Sequence, residues 1–150
     1  MRDTLPALST GMPDPEAVRA LERTLADLPQ VDLQTQHLVH GGMYARTIFI
    51  PGGTVLTGAL TKQDNVCVVF GDITVTTDEG PQRLTGFHVL PAKAGAKRAG
   101  IAHGDTWWTT LLTTEHTEVA DIEQQMTDEA DLLQTNRTGI EFVPVQTLEA

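Results

Sequence analysis

The spacing of apolar positions changes twice along the chain. Val18, Leu21, Leu25 and Leu28 recur every three or four residues, with Arg19, Glu22, Arg23 and Asp27 between them. Such spacing puts one apolar stripe on a helix of about three turns. Asp14-Pro15-Glu16 opens it with a side-chain acceptor, a ring already set at helical φ, and an acid at the positive end of the dipole. Pro29 ends it. The preceding segment 1–12, punctuated by Pro6 and Gly11, reads as a loose arm.

From Val31 to Thr114 the period is two. Tyr44, Arg46, Ile48 and Ile50 alternate with Ala45, Thr47 and Phe49, and Pro51-Gly52-Gly53 makes a turn. Strands are predicted over 54–60, 66–70, 72–77, 83–84, 87–90, 97–103 and 106–114. The breaks fall at Gly71 and at Asp78-Glu79-Gly80-Pro81, with a loop over Pro91–Gly95. Short strands at regular intervals with Gly/Pro punctuation predict an antiparallel sandwich or small barrel. After Thr114 the helical period returns. Val119, Ile122, Met126, Ala130 and Leu133 predict a second helix over 118–134, and 140–145 alternates like an edge strand, on this chain or on a neighbour. The expected organisation is an arm and helix over 1–30, a barrel over 31–114, and a helix and tail over 115–150.

Charge sharpens this division. The 150 residues carry net −10: −2 over 1–30, zero over 31–114, and −8 over 115–150. An acidic chain is a poor partner for a phosphate backbone, so nucleic acid is not expected. The acidic end reads either as a solvated helix face or as a surface that docks on a basic partner or keeps an assembly soluble. No apolar run is long enough to span a membrane, and the first residues show no secretion signal, so export by a signal peptide is not expected. The single cysteine, Cys67, lies in an apolar run and reads as core filler.

The middle of the chain resembles the cupin superfamily. Ile50-Pro51-Gly52-Gly53-Thr54 is similar to the turn that opens the first cupin motif, and Val69-Phe70-Gly71-Asp72-Ile73-Thr74-Val75 to the hairpin that ends it. Phe87-His88-Val89-Leu90-Pro91 with Gly95 is similar to the second motif. The resemblance covers about half the chain. More narrowly, Gly42–Arg46, Pro51–Gly58, Gly95–Arg98 and Ala102–Thr110 resemble small cupin-like proteins of tailed bacteriophages. It implies a mainly β, single-domain, double-sheet jelly roll with an N-terminal and a C-terminal helix.

A catalytic cupin holds its metal with three histidines and an acid, leaving positions open for substrate. Carried over from the motif glycines, those positions fall on Ala59, Thr61, Asp64 or Asn65, and Arg98. At most one can ligate, and Arg98 brings a positive charge where a cation belongs. His37, His40, His88, His103 and His116 are scattered, although a site built on His88 and His103 stays open, as does a turn in which His103 bonds Asp105. We therefore expect no resident metal, no cofactor and no catalytic residue.

Other candidates remain. Lys93, Lys97 and Arg98 cluster beside Gly95, either as an anion site or as neutralisers of nearby acids. Tyr44, Lys97, Arg98 and His103 together are the candidate pocket for an anion. Trp107 and Trp108 must point to opposite faces of their strand, so one belongs to the core and the other to a candidate interface. The expected function is a non-catalytic barrel acting through protein–protein contacts, with itself and with phage or host proteins, as a virion or accessory component. The alternative is a small cupin-type enzyme, or a sugar- or anion-binding protein, with an atypical site.

Overall fold

The computed structural model describes residues 14–77 and 79–143. The segment 1–12, read as an arm, and the end of the tail lie outside these residues. Helix α1 spans Pro15–Leu25, and the Asp14 carboxylate accepts from the Glu16 amide at 3.0 Å. It ends a turn before Pro29.

Seven strands follow: β1 (Gln36–His40), β2 (Met43–Ile50), β3 (Val55–Thr57), β4 (Asn65–Thr77), β5 (Gly80–Ala92), β6 (Ala99–Ala102) and β7 (Thr106–Thr113). They form one curled antiparallel sheet, ordered β1-β2-β7-β4-β6-β3, with β5 beside β4. The fold is mainly β, with the curled architecture of a cupin-like jelly roll and two helices. β1 was not anticipated as a separate strand.

Strand β4 makes the curl. Val66–Phe70 pair with β7, whereas Ile73–Val75 pair with β6, so one strand crosses between two walls. The expected breaks at Gly71 and near residue 85 are not breaks. β4 and β5 each run 13 residues, and Gly71 stands opposite Gly86 in their ladder. Gly71 has φ +150, and a Cβ there would lie 2.5 Å from the Asp105 carbonyl oxygen. Only a glycine lets the chain bend so close to β7 without ending the strand. Pro91 likewise lies within β5, on an edge where a missing amide costs least.

Inward-facing Ile50, Val69, Ile73, Val75, Leu84 and Leu90 fill the space between the walls. A second cluster joins Tyr44 and Leu112 to Ile122 and Met126 of helix α2 (Val119–Met126). This helix is half the expected length. At Thr127 the backbone turns extended (φ −154, ψ 151), and the Thr127 hydroxyl accepts from the Glu129 amide at 3.0 Å. Short 3-10 turns at Ala130–Leu132 and Gln134–Asn136 take the place of the remaining helix. The described part of the tail pairs with its own chain: Phe142 bridges Gln30 in parallel, and the Val143 amide donates to the Gln30 carbonyl at 2.9 Å. Within 14–30 and 115–143, both terminal segments bury apolar residues on their own barrel.

Candidate functional site

Between the walls lies a cavity of about 570 Å³, within the usual range for small-molecule sites. Its inner lining comes from inward positions of the strands: Ile48 and Ile50 of β2, Cys67 of β4, Ile73 and Val75 beyond the bend, and Trp108 of β7. Its outer lining comes from two irregular segments, 25–33 and 132–137. These are stitched together. The Leu33 amide donates to Gln134 Oε1 at 2.9 Å, Gln134 Nε2 donates to the Val31 carbonyl at 2.8 Å, and Arg137 donates to Gln30 Oε1 at 3.4 Å.

Four charged residues reach the lining: Glu22, Arg46, Arg98 and Arg137. Glu22 is committed to Lys97 at 3.1 Å, and Arg46 to Glu123 at 3.1 Å. Arg98 donates to the Thr76 carbonyl at 3.2 Å, and its charge is felt by the Cys67 thiol. Burial pushes that thiol's pKa up, and Trp108, Arg98 and Thr110 offset this only in part, so Cys67 is a protonated wall residue rather than a nucleophile. Arg137 Nε is buried with no hydrogen-bond partner. Arg46 was not among the candidates, although it shares the two-residue alternation of Tyr44, Ile48 and Ile50, whose face proves to be the inward one. Arg137, in an irregular segment, carried no sequence signal.

The candidate pocket residues do not come together. Tyr44 is fully buried under α2, its hydroxyl 2.6 Å from Nδ1 of His37 and accepting from Arg46 at 3.5 Å. Burial raises the pKa of Tyr44 and lowers that of His37. Lys97 is also buried, and its three donors go to Glu22, Glu129 (2.9 Å) and the Gly58 carbonyl (2.8 Å). The acids it neutralises are this chain's own, not a neighbour's. His103 sits outside the cavity with Nε2 2.7 Å from the Thr74 hydroxyl. Asp105 instead accepts from the Gly52 amide at 3.0 Å. Of the four, only Arg98 lines the cavity.

Among the described residues no group of three or more His, Cys, Asp or Glu is placed to hold a metal ion. Ala59, Thr61, Asn65 and Arg98 all lie on the lining, and as a donor set they do not fit a cation. His88 bonds the Thr85 carbonyl at 2.7 Å on β5, apart from His103 and its Thr74 partner.

The outer face holds a second feature. Trp107 points outward and Trp108 inward, as their adjacency required. The ladders align Phe87, Phe70, Trp107 and Phe49 in one row across β5, β4, β7 and β2. Trp107 lies 4.9 Å from Phe49 and 6.1 Å from Phe70 between ring centroids. The next rows are Val89, Val68, Thr109 and Thr47, then Pro91, Val66, Leu111 and Ala45. None of these positions is charged.

No family model and no curated protein matches the chain. Solved structures with a similar fold include a cupin superfamily protein from Desulfitobacterium hafniense (14% identity, 61% of this chain and 86% of that one, TM-score 0.48). A cupin domain from Bordetella pertussis matches at 14% identity over 58% and 98% of the two chains, TM-score 0.46. KdgF from Halomonas sp. matches at 17% over 55% and 78%, TM-score 0.45. Identities and scores this low carry no information on activity or substrate.

Proposed function

We propose that this chain is a non-catalytic β-barrel that works through protein–protein contacts, first of all with a second copy of itself. The row Phe87–Phe70–Trp107–Phe49 carries this reading. Exposed aromatic and aliphatic side chains gathered in three adjoining uncharged rows of one sheet face mark an interaction surface. A second copy suits it because the chain carries net −10. Two such molecules repel each other, least where uncharged rows keep their acids out of close contact, and a twofold axis presents the same patch from both sides.

The test is a light-scattering mass at about 100 µM protein. The expected mass is twice 16.2 kDa, falling to one chain mass in Phe70→Glu and Trp107→Glu. A monomeric parent, or an oligomer indifferent to both substitutions, overturns the reading. The resemblance to small cupin-like phage proteins extends the proposal to a virion or accessory component. Recovery of the chain with purified particles, or with a particle protein from infected cells, is the expected result. Absence from both overturns that extension.

A further inference from the structure

We infer that the barrel cavity is a binding site for a small, neutral, largely hydrocarbon molecule. Its size, the state of its polar groups and its rim each point to that chemistry.

Protein interiors leave few voids larger than a water molecule. A space of about 570 Å³, walled by strands on one side and by two stitched segments on the other, is a chamber rather than a packing lapse. Water fills such a space poorly, because a held water wants several polar partners and Ile48, Ile50, Ile73 and Val75 present only hydrocarbon. An apolar ligand gains contacts with the same walls.

The charged groups of the lining are already bonded within the chain. Glu22 pairs with Lys97, Arg46 pairs with Glu123, Arg98 donates to the Thr76 carbonyl, and Arg137 donates to Gln30. The side-chain amides are committed as well. Asn65 donates to the Gln63 carbonyl at 3.0 Å, while Gln30 donates to the Leu25 and Leu28 carbonyls at 3.0 and 2.8 Å. An ionic ligand would have to shed its water and displace one of these partners. An organic anion would also meet the field of a chain at net −10. The rim agrees with the interior: Leu28 and Leu132 line the cavity yet are 51% and 47% exposed, which makes its entrance apolar. The site is separate from the outer sheet face, since neither Phe70 nor Trp107 reaches the lining.

Octan-1-ol, octanoate and octylammonium share a chain length and differ in charge, so titration calorimetry on the full chain at pH 7 tests the inference. Octanol is expected to saturate one site per chain, roughly tenfold more tightly than either ion, because the ions lose hydration without gaining a counter-charge. Ile48→Trp fills the cavity from β2 and Leu33→Trp from the outer lining. Each should weaken octanol about tenfold by taking its space, with circular dichroism checking the fold. Phe70→Glu should bind octanol as the parent does, whether or not it associates. Absence of saturable octanol binding to the parent overturns the inference, even if neither tryptophan variant folds. So does either ion binding as tightly as octanol, or octanol binding that is lost in Phe70→Glu and kept in both tryptophan variants.

Discussion

At the scale of single residues, the ion triad of Lys97 with Glu22 and Glu129 joins three parts of the chain that sequence spacing alone keeps apart. Its lysine is fully buried, and Glu129 also accepts from the Leu60 amide at 2.9 Å and from Arg19 at 3.2 Å. Removing a buried cation strands its acids, which is far worse than losing the attraction itself. Lys97→Met is therefore expected to destabilise the protein by about 3 kcal/mol, read from a urea midpoint. A change below about 0.5 kcal/mol would show that the acids find water instead. Burial works to raise the Glu129 pKa, but the Leu60 amide, Lys97 and Arg19 together outweigh it and hold the carboxyl below its ordinary range. A group whose native pKa is depressed stabilises fully above its unfolded pKa and loses that contribution as pH falls through the native one. The gap in melting temperature between the parent and Glu129→Gln should thus be widest near neutral pH and close below the ordinary carboxylate range. A gap that grows on acidification would contradict this assignment.

At the scale of elements, Gly71 and Gly86 separate two demands that both produce glycine. At Gly71 an added Cβ meets backbone atoms of Asp105 and Thr106 at 2.5 and 2.6 Å, whereas at Gly86 (φ +82) it meets nothing within 4 Å. Gly86→Ala should cost only the conformational penalty, about 1 kcal/mol. Gly71→Ala adds a collision with backbone and should cost about 1–3 kcal/mol more, with the folded fraction measured in urea. Equal costs would mean that β7 yields freely at the bend. The same glycines explain what the sequence pattern misread. A glycine in an alternating run looks like a strand end, but here it bends a strand that continues, because the partner strand places a glycine opposite. Alternation put Tyr44, Ile48 and Ile50 on one face, which proves to be the inward one, and adjacency separated Trp107 from Trp108, since those follow from the pleat alone. The second helix was over-read because Ala130 and Leu133 keep the helical spacing while the Thr127 hydroxyl caps a turn ahead of them. The site was the least legible part. Arg137 reaches the cavity from an irregular segment, and Lys97 is consumed by acids 75 residues before and 32 after it.

For the whole molecule, the deciding feature is where the charge is not. The chain's acids gather at its ends, and Glu115, Glu118, Asp121 and Asp131 stay exposed around α2, while the three ladder rows through Phe70, Val68 and Val66 carry none; Asp72, beyond the Gly71 bend, is paired with Arg83 at 2.8 Å. Two copies meeting face to face would bury aromatic surface against a background of long-range repulsion between acidic bodies. Salt shortens the reach of that repulsion, from a Debye length of roughly 10 Å at 0.1 M to about 3 Å at 1 M, without touching the apolar contact. Dimerisation through this face should therefore tighten as salt rises, by several-fold between 50 and 500 mM sodium chloride in sedimentation equilibrium. An interface held by ion pairs, with Lys62, Lys93 or Arg83 reaching a neighbour's acids, would weaken over the same range. The sign of the salt dependence thus separates association through the aromatic row from association through charge. Phe70→Glu sharpens the distinction, because it should abolish association at low salt, where the added repulsion is unscreened, and leave it weak even at high salt, where only the lost apolar contact remains.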